Sequence, residues 1–280
     1  MNTKKLLSLY GLKWSPFSLE LPIEALIDTN KVEHFCWRVE NLVQDGGVAL
    51  LTGAPGVGKS VALRQLSARL SRLTDVSVAE LSRPQSAMVD FYRELGMAFG
   101  IELRAHNRWG GFKALREKWK SHIVTTLHRP VLLIDEAQEM PPTVLSELRL
   151  LSSVHFDSQV ILTTILCGDN RLVDKLTLPE LIPLSSRIRV RLNLSPWSKE
   201  ELSTLLTESL ARAGAPMLMS KELCSVLVEH AASSPRILMN MANELLMLAA
   251  QQELPQLDER LFLEAFAPEQ RGNSSKKRGG

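Results

Sequence analysis

The sequence predicts an α/β fold in which helices cover both faces of a parallel sheet and a small all-helical module follows. Short apolar segments alternate with segments of helical periodicity between residues 48 and 194, and from Ser198 onward only helical periodicity remains. Between the first predicted strand and the next helix lies the segment GAPGVGKS, residues 53–60. Its spacing of glycines, lysine and serine is typical of a phosphate-binding loop.

Five segments are predicted to be strands, and the first, VALLT, has the apolar composition of a strand that is buried on both faces. These strands are expected at 48–52, 76–81, 130–138, 159–168 and 188–194. Apolar residues at helical spacing predict the intervening helices at 30–45, 60–73, 86–99, 112–127 and 142–153. Beyond the last strand, helices are expected at 198–213, 220–232, 234–252 and 258–266. The first of these begins with the capping-box pair Ser198 and Glu201 and ends at Gly214.

The bulk composition sets broad limits on the kind of protein. The chain has 280 residues, of which 45% are hydrophobic, enough for one core and a small satellite domain. Its net charge of +2 neither requires nor excludes a nucleic-acid partner. The three cysteines are far apart, which argues against a disulfide framework or a zinc site. The sequence contains neither a signal peptide nor an apolar run of spanning length, so we expect a cytoplasmic protein without a membrane partner.

The phosphate-loop candidate matches the pattern G-x-x-x-x-G-K-[ST] at every position. Its residues are Gly53, Ala54, Pro55, Gly56, Val57, Gly58, Lys59 and Ser60. Glycines allow backbone N–H groups to turn toward phosphates, and the following helix points its positive end at the same charge. Lys59 supplies a positive charge to the outer phosphates, and the Ser60 hydroxyl can bind Mg²⁺. The sequence therefore predicts binding of ATP with Mg²⁺. The alternative is an ordinary glycine-rich turn between a strand and a helix.

Two adjacent acids end the third apolar segment. Asp135 and Glu136 follow four apolar residues, and the carboxyl end of a parallel strand is the edge at which such folds bind ligands. Asp135 can hold Mg²⁺, and Glu136 can orient and polarise an attacking water. A purely structural role is the weaker alternative, because two carboxylates beside a buried strand are costly without a cation or solvent. We expect both acids to serve ATP hydrolysis.

Together the phosphate loop, the segment LLIDEA, the strand VILTTILCGDN and the final helical module resemble the core and lid of an AAA+ ATPase. The resemblance implies a polar residue after the third of these motifs that helps to position water. Asn170 occupies that place, and Asp169 is the alternative. It also implies four segments: a lead-in with a helix at 1–45, a nucleotide-binding core at 46–194, a helical lid at 195–267, and a basic, disordered tail at 268–280.

The same resemblance assigns two arginines. Arg187 resembles the arginine finger that reaches into the site of a neighbouring subunit, although its alternation with Arg189 and Arg191 also fits charge on a strand surface. Arg236 resembles the lid arginine that contacts the γ-phosphate; the alternative is a residue without an electrostatic role. A cation at a helix start is mildly unfavourable, which argues for a purpose. An arginine finger that acts on the site of a neighbouring subunit implies a homo-oligomer, either a ring or a filament.

Finer motifs resemble the ExeA-like branch of AAA+ ATPases. They are LYGLKWSPF, His34, IDEAQEM and SPRILMNMANELL. That branch includes the secretion protein ExeA and lies near the transposition helpers of TniB, IstB, MuB and TnsC type. The sequence has no membrane span and ends soon after the predicted lid, so we expect the helper type. The resemblance then implies ATP-dependent assembly on duplex DNA and recruitment of a transposase. The alternative is an ExeA-like ATPase that remodels a protein assembly without DNA.

A basic stretch offers an independent candidate for DNA contact. Residues 104–120 carry six Lys or Arg against one Glu, and the loop after the second strand adds one arginine. The candidate contacts are Arg83, Arg104, Arg108, Lys113, Arg116 and Lys120. No base-reading motif accompanies them, so we expect phosphate contacts with little sequence preference. The alternative is a solvated helix face with Trp119 in the core.

Two other function classes share the phosphate loop. A nucleotide switch would bind ATP without turnover, and a small-molecule kinase would pass the phosphate to an acceptor. Glu136 and Arg187 argue against the switch, and the acid pair with the helical lid argues against the kinase.

Overall fold

Five parallel strands form the central sheet in the computed structural model, which describes residues 3–81, 83–101, 108–155 and 158–266. Within these residues the strand order is β2-β3-β6-β1-β7, and a separate two-stranded hairpin pairs β4 with β5. The strands are β1 (Gly47–Gly53), β2 (Val76–Leu81), β3 (Arg129–Ile134), β4 (Ser153–Val154), β5 (Gln159–Val160), β6 (Thr163–Gly168) and β7 (Ile188–Leu194).

Helices account for most of the remaining described chain. They are α1 (Thr3–Tyr10), α2 (Asn30–Asp45), α3 (Lys59–Leu70), α4 (Met88–Ala98), α5 (Arg108–Thr125), α6 (Pro142–Ser152), α7 (Asn170–Lys175), α8 (Ile182–Ser185), α9 (Lys199–Ala213), α10 (Lys221–His230), α11 (Pro235–Gln251) and α12 (Glu259–Phe266). The chain divides into two units. One is Pro22–Trp197, which carries the sheet, and the other joins Met1–Leu21 with Ser198–Gly280.

Side chains that alternate along β1 enter two different cores, which is why both faces of the sheet are covered. Ala49 and Leu51 pack with apolar residues of α2 and α3. Val48 and Leu50 belong to the core on the other face, with residues of α4, α5 and α6. Every residue of β1 is buried. The predicted parallel sheet with helices on both faces is therefore confirmed.

The single strand predicted at 159–168 is wrong, because the chain breaks it in two. Gln159–Val160 pairs antiparallel with Ser153–Val154, and only Thr163–Gly168 joins the main sheet. Ile161 and Leu162, which link the two, are buried in the core. Gln159 is exposed and Val160 half-buried, but Val160, the buried link and β6 follow one another without a charge or a turn residue, so periodicity alone could not locate the break.

The second unit is helical throughout its regular described structure. Ser198 and Glu201 form the predicted capping box at the start of α9, with a Glu201 N–H to Ser198 Oγ distance of 3.2 Å and a reciprocal bond of 2.8 Å. Gly214 ends that helix with a φ of 98°. The described N-terminal segment joins this unit, where the Lys13 N–H donates to Ala213 O at 2.9 Å. None of the helices in the described part of the chain is long and apolar enough to cross a membrane.

Candidate nucleotide site

The order of the strands brings the phosphate loop, the acid pair and the residues after β6 to one edge of the sheet. β6 lies between β1 and β3, with Leu51 opposite Cys167 and Ile134 opposite Leu166. Because all three strands are parallel, the segments that follow their carboxyl ends meet at the same edge. These segments are the phosphate loop, the acid pair and the start of α7.

The phosphate loop has the backbone that its glycines predict. Gly56 and Gly58 have φ values of 83° and 105°, a region that side chains other than glycine rarely adopt. Lys59 begins α3, and its side chain is buried. Its amine donates to Gly53 O at 3.0 Å and to Ala54 O at 3.2 Å, so the charge is held against the loop itself. Ser60, the next residue of the helix, is exposed.

Two further contacts hold the loop against the rest of the first unit. The Trp197 indole Nε1 donates to Val57 O at 3.0 Å. At Gly53 the loop leaves β1 so close to β7 that a Cβ atom would lie 2.8 Å from Leu194 O and 2.8 Å from Val57 Cγ2. The position therefore requires glycine for close approach of two backbones rather than for an unusual φ angle.

The acid pair lies beside the buried thiol of Cys167 at the end of β6. Burial raises the pKa of that thiol, the carboxylate of Asp135 raises it further, and the charge of Lys59 opposes the change. Asp135 therefore faces the same thiol that Lys59 influences, which brings the cation and the acids together around the end of β6. Asp135 also accepts a hydrogen bond from the Glu136 backbone N–H at 2.9 Å.

Glu136 has a strained backbone and a specific side-chain partner. Its φ of 50° and ψ of 38° are left-handed, which costs a non-glycine residue roughly 1–2 kcal/mol. Its carboxylate accepts a hydrogen bond from the side-chain amide of Gln138. Gln138 in turn accepts from the Asp169 backbone N–H at 3.2 Å. Sequence reasoning did not assign Gln138; the signal was its place in the segment DEAQ, directly after the acids.

The two candidates for the polar residue after β6 have different surroundings. Asp169 caps α7 by accepting from the Arg171 N–H at 2.9 Å, and the hydrogen bond from the Arg171 side chain lowers the pKa of Asp169. Arg171 also pairs with Glu139 at 2.9 Å. Asn170 is the first residue of α7 and is exposed. Both stand at the site edge, and the side chain of Asp169 is already committed to capping.

The two predicted arginines do not join this cluster within the first unit. Arg187 immediately precedes β7, and its guanidinium donates to Pro183 O. β7 runs parallel to β1 for seven residues, which separates Arg187 from the loop edge by roughly 20 Å. Arg236 is exposed at the second position of α11, in the other unit.

Oxygen donors at the loop edge fit a magnesium ion. Ser60 offers a hydroxyl and Asp135 a carboxylate, both hard ligands of the kind that Mg²⁺ prefers. Within the described ranges no group of three or more His, Cys, Asp or Glu could enclose a metal. Mg²⁺ usually takes only one or two protein carboxylates and completes its shell with phosphates and water, so these two residues suffice.

The structure uses several charges of the basic stretch internally. Arg116 donates to Leu150 O and lies 4.9 Å from the centre of the Phe112 ring, and burial lowers its pKa. Lys118 donates to the carbonyls of the two residues that follow α4, at 2.6 Å from Phe99 O and 3.1 Å from Gly100 O. Lys120 pairs with Glu117 at 3.4 Å. These contacts leave a smaller basic surface than the sequence predicts.

The remaining candidates for DNA contact differ in exposure. Lys113 is exposed on α5, and Arg83 is exposed in the loop after β2. Arg104 and the side chain of Arg108 lie outside the described residues.

Known proteins with similar sequences or folds agree with this architecture. Residues 42–176 match the model of the AAA domain family. General secretion pathway protein A of Aeromonas hydrophila is 30% identical over 220 residues, covering 76% of this chain and 39% of that protein. The chain thus spans about two fifths of the length of this curated relative.

Solved structures share the fold at low sequence identity. Cdc6p from Pyrobaculum aerophilum has a TM-score of 0.70 at 17% identity, covering 86% of this chain and 67% of that chain. The ORC1 protein of Aeropyrum pernix, solved in complex with DNA, has a TM-score of 0.67 at 16% identity, covering 88% and 67%. The first unit therefore has the AAA+ type of P-loop NTPase fold.

Gly53→Ala tests the close approach between the loop and β7. We expect the free energy of unfolding to fall by about 1–3 kcal/mol, because the new methyl group overlaps the Leu194 carbonyl. Chemical denaturation measures this change. Ala54→Ser adds one atom at the exposed neighbouring position and should have little effect. Equal stability of the two variants would contradict the proposed steric conflict.

Proposed function

We propose that this chain is a Mg²⁺-dependent ATPase whose ATP-bound form assembles into a homo-oligomer. The observation that carries the proposal is that the loop with Lys59 follows β1 and the acid pair Asp135–Glu136 follows β3, the two strands that flank β6 in the sheet. A charged amine beside a loop of inward-turned backbone suits the phosphates, and two carboxylates next to it suit a metal and a water. In this proposal residues 46–194 are the nucleotide-binding core and residues 195–267 the lid.

Each residue has a distinct part in the proposed reaction. Lys59 neutralises the outer phosphates of ATP, and the N–H groups of the loop hold their oxygens. Ser60 and Asp135 hold Mg²⁺, which when bound neutralises charge on the phosphate oxygens. Glu136 accepts a hydrogen bond from the attacking water and orients it toward the terminal phosphate. Asn170 or Asp169 assists that orientation from the end of β6.

Arg187 of a neighbouring subunit and Arg236 of the lid are proposed to complete the nucleotide site. Arg187 precedes β7 at the edge opposite the loop, so it could serve only the site of a neighbouring subunit. Stabilisation of transition-state charge by such an arginine is worth about 10³–10⁵ in rate. Arg236 is proposed to contact the γ-phosphate from the lid. The active form in this account is a ring or a filament rather than a monomer.

Lys59→Ala and Glu136→Gln separate binding from hydrolysis. Lys59→Ala should weaken ATP binding because it removes the charge that faces the phosphates. Glu136→Gln should retain binding and lower turnover at least about a hundredfold, because the amide cannot accept a proton. Fluorescent-nucleotide titration and phosphate release measure the two effects.

Glu180→Gln provides the control, since the same chemical change falls on an exposed residue outside the site. Normal turnover in Glu136→Gln would reject the assigned water-orienting role. ATP binding without turnover in the wild type would point instead to a nucleotide switch.

We propose that this ATPase assembles on duplex DNA in the cytoplasm, independently of the DNA sequence. The assembly would assist a transposase in target selection or recruitment. Lys113 and Arg83 are exposed and could contact phosphates. The ORC1 protein with the similar fold was solved in complex with DNA, which supports a DNA-associated role. The phosphate contacts proposed from the sequence further include Arg104, Arg108, Arg116 and Lys120.

A second use is favoured by a different observation. The relative at 30% identity, covering 76% of this chain, is a general secretion pathway protein. In this alternative the ATPase remodels a protein assembly and has no need of DNA. This alternative is consistent with the contacts that basic side chains of α5 already make with Leu150, Phe99 and Glu117, because those side chains are less available to DNA.

Lys113→Glu tests the DNA proposal. We expect weaker binding to random-sequence duplex DNA in the presence of a non-hydrolysable ATP analogue, because a phosphate contact becomes repulsive. The slope of log K against log salt should also become shallower by about 0.9–2. Fluorescence anisotropy at several salt concentrations measures both quantities.

Lys221→Glu makes the same charge change on an exposed residue of α10 and should bind as the wild type does. Equal losses in the two variants would indicate a general charge effect. No DNA binding by the wild type in any nucleotide state would favour the secretion-type alternative.

A further inference from the structure

Gln138 is a buried polar residue whose side-chain amide forms a hydrogen bond through both its oxygen and its nitrogen. Only 4% of the residue is exposed. Its Oε1 accepts from the Asp169 backbone N–H at 3.2 Å, and its Nε2 donates to Glu136 Oε2. A backbone N–H can only donate, so it fixes which end of the amide faces Asp169. The NH₂ end is therefore turned toward the carboxylate of Glu136.

The surroundings leave this side chain little freedom. The amine of Lys175 donates to the backbone carbonyl of Gln138 and, at 2.8 Å, to that of Met140, which ties the turn after β3 to α7. Gly168 lies at the end of β6, where a Cβ atom would overlap Gln138 Oε1. The hydrogen bonds from Lys175 to the backbone of the turn, and the absence of a side chain at Gly168, thus hold Gln138 in one place.

Glu136 itself lacks this kind of support from its own position. It is exposed, so burial does not fix the direction of its carboxylate. A hydrogen bond from a buried, fixed amide does select one. Hydrogen bonds to ionised carboxylates are among the stronger ones in proteins.

We propose that Gln138 is the positioning residue for Glu136, fixing one carboxylate oxygen so that the other is directed at the attacking water. This inference rests on the proposed ATPase function and adds a residue to it. The amide also links Glu136 to Asp169, the N-cap residue of α7, so the water-orienting acid and the segment after β6 are held as one unit.

Gln138→Glu separates this role from a merely structural one. The substitution keeps the shape of the side chain and an oxygen that accepts from Asp169. It replaces the donor to Glu136 by a second carboxylate oxygen. The new carboxylate is buried and costs stability in either case, but only a residue that positions Glu136 makes that cost and the loss of turnover depend on the side chain at position 136.

The first measurement is steady-state turnover of the full chain as a function of pH. At pH 8 we expect kcat of Gln138→Glu to fall about ten- to a hundredfold, with KM for ATP within about twofold. The ratio of variant to wild-type kcat should rise as the pH falls. The carboxyl group introduced at position 138 regains a donor when it is protonated, whereas the wild-type amide does not titrate.

The second measurement needs no nucleotide and compares thermal unfolding in a double-mutant cycle. Gln138→Glu alone should lower Tm by about 2–4 °C, because two carboxylates meet. In the Glu136→Gln background the same substitution should cost little, since the amide at position 136 can donate to the new carboxylate. Additive Tm shifts would mean that the two side chains do not interact and would overturn the inference.

The outcomes distinguish the positioning role of Gln138 from the ATPase function on which that role rests. Unchanged or increased turnover in Gln138→Glu, with an active wild type, overturns the positioning role and leaves the ATPase proposal standing. A uniform loss of activity at every pH, without coupling to Glu136, also overturns it in favour of a structural role. Absence of turnover in the wild type overturns the ATPase proposal itself, together with the role that rests on it.

Discussion

The pairing of β6 with both β1 and β3 is the constraint on which the candidate site depends. It brings the phosphate loop and the acid pair, which are about 75 residues apart in the chain, to neighbouring positions at one edge of the sheet. The buried thiol of Cys167 at the end of β6 marks the meeting point, because its pKa responds to Asp135 and to Lys59. Without this strand between them, the cation and the carboxylates would have no common location.

Two glycines allow close approach at this edge, Gly53 to a neighbouring backbone and Gly168 to a neighbouring side chain. At Gly53 a side chain would collide with the carbonyl of Leu194 on β7, and at Gly168 it would collide with Gln138. The loop and the turn after β3 can therefore lie against their neighbours without intervening side chains. Packing of this kind limits the movement of groups that must be held within a fraction of an ångström to act on a phosphate.

The sequence predicts the sheet and the loop well because both depend on short-range patterns. Buried strands are apolar throughout, and the loop at residues 53–60 has a spacing that its chemistry requires. The hairpin strand at Gln159–Val160 is hidden because no charge, glycine or proline separates Val160 from β6, so nothing in the sequence marks the break. The role of Gln138 is hidden for another reason: its partner Asp169 is 31 residues away, and no local pattern records that contact.

The basic stretch shows the limit of charge patterns. Counting residues 104–120 predicts a strongly basic face, but charge in sequence does not say which groups the fold uses. Lys118 binds the carbonyls that follow α4, Arg116 binds Leu150 O, and Lys120 pairs with Glu117, so Lys113 becomes the most informative position within the helix. The role of Arg187 requires a neighbouring subunit, and Arg236 lies in the other structural unit from the loop. Both roles stay predictions.

The central claim is that ATP turnover requires a neighbouring subunit, and mixing two inactive variants tests it most directly. Arg187→Ala keeps its own Glu136, whereas Glu136→Gln keeps Arg187. We predict that each alone turns over ATP slowly and that an equimolar mixture recovers a substantial part of the wild-type rate, because some interfaces then combine an intact acid with an intact arginine. A mixture no more active than its components, together with wild-type turnover per subunit that stays constant on dilution to the monomer, would contradict the account.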